Sequence, residues 1–463
     1  MSTAEHVAWR RALVIGMGRS GVAAARLLAA LGVEVVAYDR KADAALPEGA
    51  LDLRGFDDIP ERALLGVDLV VLSPGVPPGP ARALAARLAP TAEITGELGL
   101  GLRLVFERRG GPWAGVPTVE ITGTNGKSTV TALTGALLQA GGRHPFVGGN
   151  LGTPLCAALL DVLGGSTAWF DALVLECSSF QLETLPAVPN AVGMVLNITP
   201  DHLDRYPSLD AYADTKAAVF RHLCTGGLAI VDKDGAHAER RVPAGTAARV
   251  MRVGAGGEAW IEGEGAGRTL VLSGPGDATE RYDRTLLRLP GRHNAGNALF
   301  ALAAARHLGV SPDACRRGLG AFEGLPHRMV LVRELGGVKY YDDSKATNVA
   351  SALASLGGLD ERFVLIAGGR GKGDDLTPLG EVLRTRGRAI VTIGETAEAF
   401  AALGQGAVPA VIAGDLVSAV GIARSLAAPG DAVVLAPACA SYDQFRSYAH
   451  RGEVFADTVR TLS

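Results

Sequence analysis

The chain has 463 residues, of which 48% are hydrophobic and 20% are charged, and its formal net charge is −3 at pH 7. This length is too great for one hydrophobic core and predicts about three domains of ~150 residues each. The small net charge gives no reason to expect nucleic acid or an anionic membrane as a partner.

The N-terminal region and the cysteines predict a cytoplasmic protein. Arg10, Arg11 and Arg19 interrupt the first hydrophobic region, which therefore differs from a signal peptide. No apolar run approaches the ~20 residues of a membrane span, so we expect no membrane insertion. The five cysteines are scattered and form no C-x-x-C pair, which predicts reduced thiols.

The first block of the chain predicts a Rossmann-like unit. Strands are expected at 11–16, 33–38 and 67–72, with helices at 20–31 and 93–108. The turn Gly16-Met17-Gly18-Arg19-Ser20-Gly21 follows the first strand, and Asp39 follows the second. Such a turn binds phosphate at a helix N-terminus, and the acidic residue lies at the ribose position. A nicotinamide dehydrogenase and a domain for another nucleotide diphosphate both remain open.

The second block begins with a phosphate-binding loop. A predicted strand at 117–122 runs into Gly123-Thr124-Asn125-Gly126-Lys127-Ser128, and Thr129 follows. Backbone N–H groups of such a turn surround phosphates, Lys127 supplies positive charge, and the hydroxyl of Ser128 or Thr129 can ligate Mg²⁺. The loop is a shortened Walker pattern, because Ile121 stands where the usual pattern has glycine. It predicts a nucleoside triphosphate site.

Two further strands of this block end in candidate ligands. Glu176 ends a predicted strand at 172–176, across from Ser128, where a carboxylate can hold Mg²⁺ beside the β- and γ-phosphates. His202 follows a predicted strand at 191–198 at the same sheet edge. A solvated glutamate and an uninvolved loop histidine are the alternatives.

Lys216 lies on the apolar stripe of a predicted helix at 208–223. A buried lysine needs an anionic partner or loses its charge, and a neutral amine can react with CO₂ to form a metal-binding carbamate. Only seven of the 45 basic residues are lysine, so a lysine among motif residues suggests that its chemistry is needed. A lysine that reaches the helix edge is the alternative.

The end of the second block predicts a peripheral sheet, followed by a helix. Residues 226–290 carry the weaker strand patterns, and the helix is expected at 294–308. Asn294 and Asn297 share one face of this helix, where they can contact a base or a phosphate. Helix capping explains Asn294 nearly as well.

The third block predicts another α/β domain, with strands at 338–342, 363–367, 389–393 and 432–436. Polar clusters follow three of these strands, at 342–348, 368–372 and 437–443. Parallel strands place such clusters at one sheet edge, which predicts a third ligand pocket facing the triphosphate. The fold class is therefore α/β with three domains: a Rossmann-like domain at 1–110, a P-loop ATPase-like domain with a mainly parallel sheet at 111–324, and a Rossmann-like domain at 325–463.

Taken together, these segments closely resemble the Mur ligase family, the ATP-dependent amide ligases of peptidoglycan precursor synthesis. The sequence Gly-Thr-Asn-Gly-Lys-Ser-Thr at 123–129 is shared with the wider family. The sequences Ser-Ser-Phe-Gln-Leu-Glu at 178–183, Asp-His-Leu-Asp-Arg-Tyr at 201–206, Asp-Ser-Lys-Ala-Thr-Asn at 343–348 and Ser-Tyr-Asp-Gln-Phe at 441–445 resemble the branch that adds D-glutamate. The resemblance runs from residue 16 to about residue 452.

The resemblance implies a cytoplasmic, monomeric enzyme that joins D-glutamate to UDP-N-acetylmuramoyl-L-alanine. The expected cofactors are ATP and two Mg²⁺ ions, with an acyl-phosphate intermediate and release of ADP and phosphate. Another Mur-type ligase with a different amino acid is the main alternative. A nicotinamide dehydrogenase and a nucleotide-sensing regulatory protein are the rivals from other classes.

The resemblance also implies site residues by matching motif. The catalytic residues would be Lys127, Glu176, His202 and Lys216. The metal ligands would be Ser128, Glu176, His202 and Lys216 as its carbamate. ATP would contact Gly123, Thr124, Asn125, Gly126, Lys127, Ser128, Thr129, Asn150, Asn294, Asn297, His327, Arg328 and Asp343. The UDP-linked substrate would contact Gly18, Arg19, Ser20, Asp39, Arg40, Ser73 and Ser178. D-Glutamate would contact Lys345, Thr347, Lys372, Ser441 and Tyr448. Two positions depart from the family pattern, Arg370 and Tyr448.

Overall fold

The computed structural model describes residues 7–107, 115–203, 205–263, 268–273, 278–289, 291–371 and 373–463. The chain forms two compact units. The first unit comprises Met1–Asp283 and Asn297–Leu319, and the second comprises Arg284–Gly296 and Gly320–Ser463.

The first sheet of the first unit is five-stranded and entirely parallel, in the order β3-β2-β1-β4-β5. Its apolar strands are buried on both faces, as expected for a parallel sheet covered by helices. The strands are β1 (Arg11–Ile15), β2 (Glu34–Tyr38), β3 (Leu51–Asp52), β4 (Leu69–Leu72) and β5 (Glu93–Gly96), and the helices are α1 (Arg19–Ala30), α2 (Pro78–Leu88) and α3 (Glu97–Glu107), with a 3-10 turn at Glu61–Leu64.

The second sheet is nine-stranded, in the order β14-β13-β12-β11-β10-β9-β6-β8-β7. All neighbouring strands from the β7 edge to β12 pair in parallel. Strand β13 pairs antiparallel with both β12 and β14. The strands are β6 (Thr118–Thr122), β7 (Pro145–Gly149), β8 (Ala172–Glu176), β9 (Asn190–Val195), β10 (Leu223–Asp232), β11 (Arg249–Val253), β12 (Ala259–Glu262), β13 (Thr269–Ser273) and β14 (Thr279–Asp283).

The helices that follow these strands in the chain are α4 (Lys127–Ala140), α5 (Leu155–Leu163), α6 (Ser179–Leu182), α7 (Leu209–Lys216), α8 (Ala236–Glu239), α9 (Arg292–His307) and α10 (Pro312–Ala321), with 3-10 turns at Ala217–Phe220 and Arg284–Leu286. Helices α1 and α3 pack on α5, so the first two sheets share one hydrophobic core.

The second unit contains a six-stranded sheet in the order β15-β16-β20-β17-β18-β19, in which only the β15–β16 pair is antiparallel among the described strands. A buried apolar cluster covers each face of this sheet. Its elements are β15 (Val330–Leu335), β16 (Val338–Asp342), α11 (Val349–Gly357), β17 (Phe363–Gly368), α12 (Thr377–Arg386), β18 (Gly387–Ile393), α13 (Ala397–Ala402), β19 (Ala410–Gly414), α14 (Leu416–Leu426), β20 (Ala432–Leu435) and α15 (Tyr448–Thr461).

The structure confirms the α/β class with mainly parallel sheets and corrects three local predictions. The segment expected as a helix from residue 93 begins with β5, whose Ile94 and Thr95 suit a strand, and α3 starts at Glu97. The helix expected to reach residue 223 ends at Lys216. The strands expected as a peripheral sheet instead extend the nine-stranded sheet.

A tertiary contact explains the early end of α7. The 3-10 turn that follows presents the Val219 carbonyl to β9, where Asn190 Nδ2 donates to it at 2.8 Å. A Cβ at Gly193 would lie 2.3 Å from the same oxygen, so only glycine permits this approach.

The domain boundaries at residues 110 and 324 stay predictions. The predicted breaker at 110–112 lies outside the described residues. None of the helices in the described ranges combines the length and the apolar composition needed to cross a bilayer.

Candidate active site

The phosphate-binding loop follows β6, an interior strand of the nine-stranded sheet. Strand β6 ends at Thr122, Gly123 and Gly126 adopt φ values of +154° and +84°, and α4 begins at Lys127. The Lys127 Nζ donates to the carbonyl oxygens of Gly123 and Thr124, each at 2.8 Å. These bonds curl the loop around its own ammonium group, which places positive charge beside the N-terminus of α4.

Two asparagines hold this loop, and the sequence indicated only one of them. The Asn125 N–H donates to Asn197 Oδ1 at 2.8 Å, and Asn197 Nδ2 donates back to the Asn125 carbonyl at 3.0 Å. The predicted Asn297 lies against Gly126, where a Cβ would be 2.7 Å from its Oδ1. A side chain at residue 126 would therefore disturb the loop.

Glu176 brings a carboxylate to the strand next to this loop. It ends β8, in register with Ile121 of β6, and it is 2% exposed. Its Oε1 accepts from Asn150 Nδ2 at 2.6 Å, whereas its Oε2 is buried and has no hydrogen-bond partner among the described residues. An unpartnered buried carboxylate oxygen is costly, and a hard cation would satisfy it. Glu176 therefore fits a magnesium ligand.

Lys216 is the last residue of α7 and is 1% exposed. Its Nζ donates to the Gly123 carbonyl at 2.8 Å and lies 4.5 Å from the ring centre of Tyr212. Burial, with the nearby charge of Lys127, lowers the pKa of Lys216 to about 6. The amine is therefore neutral at pH 7 and above, which carbamate formation requires. Its burial excludes the alternative of a lysine that reaches the helix edge.

His202 lies on the loop after β9, with a left-handed φ of +52° and an exposed side chain. Its ring centre is 4.8 Å from that of Phe180 and 6.4 Å from that of Tyr212. The Tyr212 hydroxyl is in turn 3.5 Å from the Thr124 hydroxyl. Tyr212 thus connects His202 with both the phosphate-binding loop and Lys216.

An ion pair that the sequence did not predict supports the loop of His202. Arg205 donates from Nε to Glu183 Oε1 at 3.0 Å and from Nη2 to Oε2 at 2.5 Å. Tyr206 also donates to Glu183, at 2.7 Å, and the Arg205 guanidinium lies 4.2 Å from the ring centre of Phe180. Glu183 and Arg205 belong to the sequences at 178–183 and 201–206 that resemble the family, but only the fold shows that they form a pair.

A cavity of about 600 Å³ lies at the carboxyl end of the first sheet. Gly16, Asp39 and Arg40 line it together with Tyr38, which places two predicted UDP contacts on its wall. Asp39 Oδ2 accepts from the Met17 N–H at 2.7 Å, so this carboxylate also shapes the glycine-rich turn.

The remaining predicted UDP contacts have local roles in the first unit. Gly18 precedes α1, whose first residues include Ser20, and Arg19 donates to the Gly152 carbonyl at 2.6 Å. Ser73 donates to the Gly16 carbonyl at 2.7 Å. Ser178 caps α6 in a capping box with Gln181. Their contacts with a ligand stay predictions.

The second unit contains a cluster around the residues that follow β16. His327 Nδ1 is 2.7 Å from Asp342 Oδ2. Asp343 Oδ1 accepts from the Met329 N–H at 3.2 Å, and burial raises the pKa of Asp343 to about 7. The Lys345 Nζ lies 3.8 Å from the ring centre of Tyr448. These contacts, with the His327 and Tyr448 ring centres 6.2 Å apart, place four predicted ligand residues near one another.

Arg451 joins this cluster to the residues after β20 and was not predicted. It is 0% exposed and donates to the carbonyls of Ser344 at 2.9 Å and Cys439 at 3.1 Å. The Arg370 N–H donates to the Ala440 carbonyl at 2.9 Å, which adds the residues after β17. The three polar clusters of the third block are therefore brought together.

The structure gives the surroundings of most of the other residues predicted to contact ATP or D-glutamate. Ser441 and Asn294 are buried, and Thr347 follows Lys345 in the loop before α11. The Arg328 charge acts on Asp343 and opposes the rise of its pKa. Lys372 lies outside the described residues. Their ligand contacts stay predictions.

Comparisons with known proteins agree with these motifs. A family model described as the Mur ligase middle domain matches residues 121–305, and one described as the Mur ligase glutamate ligase domain matches residues 327–439. The chain is 40% identical to "UDP-N-acetylmuramoylalanine--D-glutamate ligase" of Myxococcus xanthus, over 98% of both chains. It is 44% identical to the protein of that name from Anaeromyxobacter dehalogenans, over 96% of both.

A solved structure shares the fold. The crystal structure of MurF ligase from Thermotoga maritima in complex with ADP has a TM-score of 0.59 and 17% identity, covering 87% of this chain and 97% of that one. The identity of 40% and 44% to the named relatives extends over almost the full length of the chain. Together with the two family models, it shows that the chain belongs to the Mur ligase family.

Proposed function

We propose that the protein is an ATP-dependent ligase that joins D-glutamate to UDP-N-acetylmuramoyl-L-alanine and releases ADP and phosphate. The observation that carries this proposal is the set of Lys127, Glu176 and the neutral Lys216 around one phosphate-binding loop. The relatives at 40% and 44% identity carry the name of this activity over almost the entire chain.

ATP would bind with its phosphates at the loop of residues 123–129. Backbone N–H groups at the start of α4 and the Lys127 ammonium are complementary to phosphate charge. A protein of the same fold was solved in complex with ADP, which supports an adenine nucleotide as the ligand.

Magnesium would be held by Ser128, Glu176, His202 and the carbamate of Lys216. Among the described residues, no group of three or more histidine, cysteine or carboxylate side chains is arranged for a metal. One ion would be held by Ser128 and Glu176 beside the triphosphate, and a second by His202 and the carbamate of Lys216. Bound Mg²⁺ would supply charge that offsets the repulsion between a substrate carboxylate and the phosphates.

The reaction would proceed through an acyl phosphate. The L-alanyl carboxylate attacks the γ-phosphorus of ATP, and the bond between that phosphorus and the β,γ-bridging oxygen breaks to release ADP. The D-glutamate amine then attacks the acyl carbon, and phosphate leaves from a tetrahedral intermediate. Lys127 holds positive charge at the phosphates during the first step. This route needs no serine or cysteine nucleophile, and burial raises the pKa of Cys156 and Cys177.

The two other substrates would bind at the other sites. The uridine diphosphate would occupy the 600 Å³ cavity beside Asp39 and Arg40, where backbone and charged groups are available. D-Glutamate would bind near Lys345 and Ser441, since cationic and hydroxyl groups recognise carboxylates. The free thiols of the five cysteines agree with a reducing compartment. We propose a cytoplasmic monomer.

An assay of ADP release against a panel of amino acids tests this function. We expect ADP release to require both UDP-N-acetylmuramoyl-L-alanine and D-glutamate, and to fall at least tenfold when L-alanine or a diamino acid replaces D-glutamate. Release with another amino acid would instead indicate a different Mur-type ligase. ATP binding without acceptor-dependent turnover would indicate a nucleotide sensor, and an absorbance change with NADH would favour a dehydrogenase.

A further inference from the structure

Gly452 lies within α15 at a position where no larger residue fits. A Cβ built there would be 2.1 Å from His327 Nδ1 and 2.8 Å from Asp342 Oδ2. Its φ lies outside the left-handed region, so its backbone does not require glycine. Because glycine is a poor helix former, its use inside this helix calls for a packing reason. The space that a side chain at residue 452 would fill is occupied by the paired side chains of His327 and Asp342.

The segment that carries His327 is strained and is held from several sides. His327 and Met329 have left-handed φ values of +62° and +49°, which non-glycine residues rarely adopt. The Lys345 N–H donates to the His327 carbonyl at 3.0 Å, and the Met329 N–H donates to Asp343 Oδ1 at 3.2 Å. Such conformations persist only where the surroundings determine them.

The Asp342 carboxylate also determines the state of the His327 ring. A carboxylate accepts hydrogen bonds, so Nδ1 carries the proton and the orientation of the ring is fixed. Asp342 Oδ1 accepts from the Ser344 N–H at 2.9 Å, which fixes the carboxylate itself. Glu453 of α15, Lys345 and the Tyr448 ring also face His327.

We propose that Gly452 and Asp342 are positioning residues for ATP binding, because together they fix the His327 ring and the strained turn that carries Arg328. This inference rests on the proposed function and on the expectation from the family resemblance that His327 and Arg328 contact ATP. A methyl group at residue 452 displaces the ring, and an amide at residue 342 weakens its hydrogen bond.

The variants Gly452→Ala and Asp342→Asn test this proposal, with Gly421→Ala as the control. Gly421 lies inside α14, and a Cβ there meets open space. We expect both test variants to raise the KM for ATP about tenfold or more, because a displacement of about 1 Å at such a site has large effects. The KM for the UDP-linked substrate should stay within about twofold. Gly421→Ala should match the wild type in both.

NMR titration of the His327 ring gives a readout that lost stability alone would not produce. The Asp342 hydrogen bond raises the pKa of His327, so both test variants should lower the pKa of this ring. A folded Gly452→Ala with wild-type KM and pKa would overturn the proposal. If Gly452→Ala does not fold, unchanged values in Asp342→Asn would overturn it. If the wild-type protein does not turn over ATP, the proposed function is wrong. The titration would still show whether Gly452 and Asp342 fix the His327 ring.

Discussion

Lys216→Ala is expected to lower the rate of ligation by a factor of about 10² or more. The variant removes the amine that would become a carbamate, and with it one ligand of the proposed magnesium site. The amine lies 2.8 Å from the Gly123 carbonyl, at the base of the phosphate-binding loop, so its loss acts where the γ-phosphate would react. Steady-state ADP release is the measurement.

Chemical rescue separates a carbamate from an ordinary lysine. Acetate or another short carboxylate should partly restore ligation by Lys216→Ala, because it can occupy the place of the carbamate. Lys216→Arg, which cannot form a carbamate, should stay inactive. Lys233→Ala, at a partly exposed lysine after β10, should keep wild-type activity. Wild-type turnover by Lys216→Ala without an additive would refute the role.

The lowered pKa of Lys216 predicts how carbamate formation depends on pH. The folded protein lowers this pKa to about 6, so the neutral, reactive amine dominates above that pH. Below about pH 6 the amine is protonated and cannot add to CO₂. Carbamate occupancy, followed by ¹³C NMR with labelled bicarbonate, should therefore fall as the pH falls through this range.

Glu176→Gln is expected to lower activity about 10²–10³-fold and at the same time to raise thermal stability in the absence of magnesium. The amide keeps an oxygen for Asn150 but removes the charge that a metal needs. It also removes a buried carboxylate oxygen that has no partner among the described residues, which costs stability. ADP release and thermal unfolding without magnesium measure the two effects.

Glu120→Gln is the matched control for this prediction. Glu120 is another buried glutamate, on the neighbouring strand β6, and burial raises its pKa to about 8. It is therefore protonated at pH 7, and glutamine is close to it in charge and shape, so activity should be unchanged. Because the fold raises this pKa from 4.5 to about 8, the stability linked to protonated Glu120 declines as the pH rises between these values, and the variant should be the more stable above pH 8. Equal activity losses in both variants would contradict the metal role of Glu176.

The sequence was sufficient to predict the fold class and to choose residues that the fold places around the phosphate-binding loop, while their roles stay predictions. Buried strands of a parallel sheet appear as continuous apolar runs, and the polar residues that follow them mark the sheet edge. Lys127 and Glu176 were found in this way. Lys216 was found from helical spacing, although its helix ends at that residue.

The supporting residues could not be predicted, because their roles depend on contacts between distant parts of the chain. Arg451 bonds carbonyls that lie 107 and 12 positions away, and Asn197 pairs with a loop 72 positions away. The steric requirement at Gly452 appears only once His327 lies against α15. Local patterns contain no information about such partners.

Transfer of ¹⁸O from the substrate to phosphate is the most direct test of the proposed chemistry. UDP-N-acetylmuramoyl-L-alanine labelled in its alanyl carboxylate is incubated with the full-length protein, ATP, Mg²⁺ and D-glutamate. Attack of that carboxylate on the γ-phosphorus predicts one labelled oxygen in the released inorganic phosphate, together with unlabelled ADP. Labelled AMP, or phosphate without label, would contradict an acyl-phosphate route at this site.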